Sequence, residues 1–282
     1  MGKLHLYVAE TDHPQGAKSE IVIKDEITQE ELTQLNTAFR VCSLYHSITQ
    51  IKDIVVENGE SFKRFMNPQN LQEIRKRNVP PERAITLANK AVLNYASSIK
   101  TYIDMEKRLL TKRATESDLK LFEDMQHAFY DKNMEYRFWA NFRNYIVHCE
   151  FPYSIYQESV ENGCKIICTK EHLLQFDNWK HSKADIQQMG EQIDLPALVD
   201  NMSAMIYAFY IDFFSHFAKD ITDGITTYGE FCRKYGVRVP VIFKMENREQ
   251  VAGSHFQPLP VKELRASFDI LRNNPHIKID IK

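Results

Sequence analysis

Phe138-Trp139-Ala140-Asn141-Phe142-Arg143-Asn144-Tyr145-Ile146-Val147-His148-Cys149-Glu150-Phe151-Pro152 is the stretch from which the rest of the chain can be read. Its spacing is helical. Pro152 closes it, because proline lacks a backbone donor and biases its predecessor away from helix. With about 100° per residue and Phe142 as zero, Phe138, Trp139, Tyr145, Ile146 and Cys149 fall within roughly 60° of Phe142. That is a core-facing stripe. Asn144 lands nearly opposite, at about 200°, with His148 at about 240° and Arg143 at about 100°. A cation, an amide and an imidazole therefore share the side the core does not need. Val147, at about 140°, lies among them as an apolar residue on a face expected to be wet. A second protein surface over that face would account for it.

The run Arg143-Asn144-Tyr145-Ile146-Val147-His148 resembles the R-[polar]-x-x-x-H signature of the HEPN superfamily of helical ribonucleases. The likeness covers the motif and the helices around it, over residues 26–222, and the remainder carries none. It implies a helical bundle with the signature near the end of one helix. It further implies two copies meeting across a dimer interface and RNA cleavage without metal. By the same resemblance, His148 handles the proton of the ribose 2′-hydroxyl or of the leaving oxygen. Arg143 binds the scissile phosphate, and Asn144 orients one of these groups. The biological setting implied is a toxin or a phage defence, with a neutralising protein as a further partner.

An Arg followed closely by a His occurs twice more, at Arg40…His46 and Arg248…His255. Arg40 is followed by Val41, and His46 falls on the apolar stripe of Leu35, Phe39 and Cys42, which reads as core. The Arg248 match runs through Ala252-Gly253-Ser254, a loop. Only Arg143 combines a polar neighbour, a helical setting, an outward face and a proline close behind. The plain alternative for the stretch is a surface arginine and a histidine at a helix end.

The composition is that of a soluble globular chain: 282 residues, 43% hydrophobic, 26% charged. That length suits one large domain or two modest ones. A net charge of −2 gives no global pull toward nucleic acid or acidic lipid. The N-terminus shows no basic-then-apolar leader. The longest apolar region, residues 202–217, contains Asp212 and His216 and keeps helical periodicity, so it reads as a core helix rather than a membrane span. The expectation is a cytoplasmic protein with no membrane partner. An odd count of five cysteines fits reduced thiols, although Cys164 and Cys168 share a strand face and could approach each other. Without Cys-x-x-Cys, His-Glu-x-x-His or an acidic loop, no metal is expected, and without a glycine-rich phosphate loop, no nucleotide cofactor.

Residues 3–8 and 20–24 alternate as two strands joined through Asp12–Gly16. Thr28-Gln29-Glu30-Glu31 is a capping box opening a helix to about residue 57, where Asn58-Gly59 stops it. Residues 60–79 read as irregular or shortly helical. Pro80-Pro81 starts a long helix, and Thr115-Glu116-Ser117-Asp118 starts the next, which runs toward Pro152 with a break near residues 131–133. Residues 60–113 carry twelve Lys or Arg against five Asp or Glu, the natural candidate for RNA phosphates or else a solvated face. Ser154-Ile155-Tyr156 and residues 165–168 read as a hairpin, and Glu171–Trp179 as a short helix. Asp194-Leu195-Pro196 opens an apolar helix to about residue 221, the centre of the bundle. A short helix after Asp223-Gly224, an edge strand at residues 238–243 containing Pro240, a helix at 261–272 and a final strand through Ile277, Ile279 and Ile281 complete the chain.

The fold class expected is mainly α (α+β overall), an antiparallel helical bundle with a small β appendage formed by N- and C-terminal segments. The expected divisions are a β segment at 1–25, the bundle at 26–222 carrying Arg143, Asn144 and His148, and an α/β appendage at 223–282. The function expected is metal-independent endonucleolytic cleavage of RNA by 2′-hydroxyl attack, with RNA and a second copy of the chain as partners. The alternatives are a non-catalytic helical dimer that binds nucleic acid or a protein, a purely structural dimer, and, more distantly, a metal hydrolase.

Overall fold

A computed structural model describes residues 5–12, 20–159, 163–246, 255–275 and 277–278. The turn beyond Asp12, the turn residues Glu161 and Asn162, most of the Arg248…His255 stretch, and Ile279 and Ile281 lie outside the described residues. In chain order the elements are β1 His5–Asp12, β2 Glu20–Ile27, α1 Gln29–Ala38, α2 Arg40–Met66, α3 Pro68–Lys76, α4 Pro81–Arg113, α5 Glu116–Lys132 and α6 Met134–His148. Then follow β3 Ile155–Ser159, β4 Gly163–Thr169, α7 Lys170–Leu174, α8 Ser182–Gln188, β5 Gln192–Ile193, α9 Val199–Ser215, α10 Ala218–Tyr235, β6 Pro240–Met245, β7 His255–Pro258 and α11 Val261–Arg272. The protein is mainly helical with small antiparallel sheets, in line with its hydrophobic periods. No helix among the described residues is long and apolar enough to cross a membrane.

Contacts divide the chain into residues 1–47 with 214–282, and residues 48–213. The sequence placed the divisions at 25/26 and 222/223. They fall elsewhere because α1 packs on α10, and α10 on α11, so these helices go with the sheet.

In the first unit the strand order is β2-β1-β6-β7. Ala9, Phe243 and Met245 form a buried cluster on it, flanked by Tyr7, Ile23 and Val241. Pro240 does not mark an edge: β6 lies between β1 and β7, and proline is tolerated because it is the first residue of the strand. The fourth strand is β7; of the expected tail strand only Ile277 and Lys278 are described, and neither is in a strand. The capping box is present as read: Thr28 Oγ1 accepts from Glu31 N at 3.1 Å, and Glu31 Oε2 accepts from Thr28 N at 2.8 Å. Burial works to raise the Glu31 pKa, but hydrogen bonds from Lys234, Thr28 and Tyr235 overcome it and hold the carboxyl down at about 2. His46, read as core, is exposed, because α1 ends at Ala38 and α2 starts a new wheel.

In the second unit, α4 packs on α5 and α6, and α6 packs on α8. Asn58-Gly59 does not stop α2, which runs on to Met66. Gly59 is buried, and a Cβ there would meet Tyr95 Cε2 at 2.9 Å and Val199 Cγ1 at 3.0 Å. The glycine lets chains approach rather than ending a helix. The apolar stripe of α6 is covered by aromatic rings. Phe138 and Tyr145 stack on Trp179 at 5.5 and 5.4 Å, and Trp139 meets Tyr95 edge-on at 4.8 Å. Each such side chain, fully buried, contributes about 1.5–3 kcal/mol. Both indole N–H groups are satisfied: Trp139 Nε1 donates to Leu198 O at 3.0 Å and Trp179 Nε1 to Leu173 O at 2.6 Å. The hairpin is β3 with β4. Cys164 and Cys168 do sit on one face of β4, but four residues along an extended strand separate them by about 13 Å, beyond disulfide reach, and both are free.

Candidate functional site

The Arg143 helix is held from three sides. Asn133 ends α5 and starts α6, its N–H donating to Phe129 O at 2.9 Å. Arg137 then ties the corner together. Its Nε and Nη2 grip the Asp185 carboxylate at 2.8 Å each, and its Nη1 donates to Tyr130 O and Asp131 O at 2.8 Å each. The Asp185 hydrogen bonds raise its already high pKa, so the fork is permanently charged. Asn141 is only 5% exposed and donates to Arg137 O at 3.0 Å and to Ser182 Oγ at 3.2 Å. Beyond the helix, His172 of α7 holds the exit, its Nε2 2.8 Å from Phe151 O and its ring edge-on to Tyr145.

Phe138, Trp139, Phe142 and Tyr145 are buried, as the wheel requires. Ile146 is half-buried, and Cys149 is exposed rather than in the stripe. The helix ends at His148, and Cys149 takes φ −127° and ψ −87°, which rotates it off the wheel. Arg143, Asn144 and His148 are all exposed on the outer face, with Val147 54% exposed among them and Phe151 47% exposed just beyond. Asn144 and His148 are four apart and Arg143 and Val147 four apart, so each pair is a neighbour along the surface. Among the described residues the side chains of Arg143, Asn144 and His148 make no hydrogen bond or ion pair. Many of the basic side chains before them differ in this respect. Lys100 pairs with Asp104 at 2.7 Å, Lys107 with Glu123 at 2.8 Å, Lys76 with Glu73 at 2.7 Å, and Arg75 with Glu158.

The arrangement offers a free guanidinium fork, an amide and an imidazole on one helix face. These can grip an anion, orient it and move a proton beside it. The face is open within one chain, and Arg143, Asn144 and His148 line neither of the two cavities described nearby. One of about 200 Å³ lies between α4, α5 and α6, and one of about 370 Å³ lies between α3, β4 and residues 192–196. Among the described residues no group of three or more His, Cys, Asp or Glu is placed to hold a metal.

Glu106 is the polar residue that the sequence counted as part of a basic face. It is fully buried in α4, and among the described residues neither carboxyl oxygen has a hydrogen-bond partner, nor does the hydroxyl of Tyr102 one turn before it. Burial, reinforced by the nearby Asp212 carboxylate, pushes its pKa well above the ordinary 4.5. The signal was in the register: Ile99, Tyr102, Ile103, Glu106 and Leu110 follow helical spacing, with an acid at a core position. Comparison of the chain with family models, with curated proteins and with solved structures gives no match.

Proposed function

We propose that the protein is a metal-independent RNA endonuclease that works as a homodimer, with the Arg143, Asn144 and His148 faces of two copies meeting around the scissile phosphate. One observation carries the reading: the three side chains share an exposed face and, among the described residues, have no hydrogen-bond or ion-pair partner, beside an exposed Val147. A guanidinium with no ion pair among the described residues is available to an anion from outside. An apolar residue set between such groups is accounted for by a second protein surface. That surface would also supply the walls the open face lacks and keep water from the phosphate.

His148 of one subunit takes the proton of the ribose 2′-hydroxyl as its oxygen attacks phosphorus. The P–O2′ bond forms as the P–O5′ bond breaks, and the protonated His148 of the partner subunit gives its proton to the departing 5′ oxygen. The products are a 2′,3′-cyclic phosphate and a 5′-hydroxyl. Arg143 places two N–H donors on the non-bridging oxygens as negative charge builds on them. Asn144 orients the phosphate or the imidazole. Such an activity suits a toxin or a phage-defence nuclease held in check by a partner protein, and the free cysteines fit a reducing cytoplasm.

RNA cleavage in the presence of EDTA tests this. His148→Ala should lose about 10²–10⁴-fold in rate while still binding RNA, and Arg143→Ala should lose both rate and affinity. The 3′ ends of the products should carry a cyclic phosphate. A wild type that cuts nothing, or a His148→Ala protein that cuts as fast as wild type, ends the proposal. The second reading, a non-catalytic dimer that binds nucleic acid or a protein, draws on the exposed Val147 and Phe151, which need a covering surface and no chemistry. It expects no cleavage from either form.

A further inference from the structure

Ala140 stands at about 160° on the same wheel, between Val147 and Asn144, and therefore on the face of the triad. It is also a wall of the cavity of about 200 Å³, together with Trp139 behind it, Lys100 of α4, and Gln126, His127 and Tyr130 of α5. Arg143 and Asn144 follow Ala140 by three and four residues, so they are its surface neighbours one turn on. One wall of the cavity thus lies one helical turn from the position of Arg143.

Two of its walls, Tyr130 and Trp139, are held by contacts within the chain. The Arg137 fork holds Tyr130 O and Asp131 O at 2.8 Å each while gripping Asp185. The Tyr130 ring rests against His181 at 5.9 Å between centroids, and Trp139 is anchored through Nε1 to Leu198 O. The lining combines aromatic faces with groups that read a polar edge. Gln126 both donates and accepts, as does the neutral imidazole of His127 through its two ring nitrogens, and Lys100, paired with Asp104, stands at the rim. The volume is below that of a drug-sized pocket and suits a single flat ring system.

We propose that this cavity is a nucleobase subsite. It takes one base of a single-stranded RNA whose sugar-phosphate backbone crosses Arg143 and His148. The inference rests on the endonuclease reading for the identity of the polymer, and adds that the enzyme grips a splayed base next to the cut. The base packs against the aromatic walls, and its edge meets Gln126 and His127. Part of the cleavage-site preference is then set by α5, outside the motif helix.

The test uses the full-length protein and a fluorescent 2′-O-methyl hexaribonucleotide, which lacks the attacking hydroxyl and cannot be cut. Anisotropy gives the Kd for wild type, Tyr130→Ala, Tyr130→Phe and Ala140→Phe, each checked for an unchanged circular dichroism spectrum. Tyr130→Ala removes the stacking face, and Ala140→Phe fills the cavity from the α6 side. Each should weaken binding about tenfold, whereas Tyr130→Phe should bind as wild type. Native RNA cut by the same proteins supplies the second readout. If wild type cuts RNA while Tyr130→Ala and Ala140→Phe bind the probe as tightly as wild type, the subsite is overturned and the endonuclease stands. Tyr130-dependent binding without any cleavage upholds the subsite and removes the endonuclease. No binding of the probe by wild type overturns the subsite, and the endonuclease falls with it only where native RNA is also left uncut.

Discussion

At Glu106 a full carboxyl group is enclosed by the second unit with neither oxygen hydrogen-bonded, while Tyr102 and Asp212 stand close enough to act on it. Leaving a carboxylate charged in such a place is costly, so burial and the Asp212 carboxylate favour the protonated form and raise its pKa well above the ordinary value. The unfolded chain releases that proton near pH 4.5. Between that pH and the higher folded value the native state binds more protons than the unfolded state. The stabilising effect is therefore complete below pH 4.5 and declines as pH rises, by about 1.4 kcal/mol per unit, until Glu106 itself ionises. Glu106→Gln has no such titration. Urea denaturation at pH 5, 6.5 and 8 should show the variant gaining on wild type as pH increases, and a constant difference would refute the assignment. Glu31 has the opposite sign, since its carboxyl is held down at about 2, and its contribution is lost only as pH falls below about 4.5 toward that value.

Among the elements, α10 carries its own internal control. A Cβ on Gly224 would stand 2.7 Å from the backbone oxygen of Ala38, whereas a Cβ on Gly229 would meet nothing within 4 Å. Gly224→Ala gains helix propensity but drives α10 off α1, and a net loss of about 1–3 kcal/mol is expected. Gly229→Ala gains the propensity alone, up to about 1 kcal/mol. Thermal melts of the two variants should move in opposite directions. The sequence treated Gly59 and Gly224 as stop signals because glycine ends helices often. Both lie inside helices, at points where another part of the chain comes too near for a side chain. The helix starts were legible for a different reason. Thr28 with Glu31 and Thr115 with Asp118 satisfy free N–H groups within four residues, so the whole interaction is written locally.

For the whole molecule, the open question is what covers the outer face of α6. The proposed shared cleft requires a second copy there. Val147→Glu should leave the melting temperature within a few degrees of wild type, since Val147 is 54% exposed, yet give a monomer by sedimentation and abolish cleavage. A wild type that stays monomeric at high concentration removes the cleft, and with it the supply of a second imidazole. The division into residues 1–47 with 214–282 and residues 48–213 was not legible, because it depends on which helices pack with the sheet.

By itself the sequence determined the mainly helical class, the capped helix starts, the buried stripe of α6 and the outward placement of Arg143, Asn144 and His148. All of these follow from periods of 3.6 residues and from hydrogen bonds that span a few positions. Only the tertiary structure decided that Gly59 and Gly224 serve close approach, that Glu106 lies in the core, that Pro240 opens an inner strand, and that Arg137 locks a corner of α5, α6 and α8 beside an aromatic cavity. Each of these depends on which distant segment stands opposite, and burial and crossing distance are properties of the partner as much as of the residue.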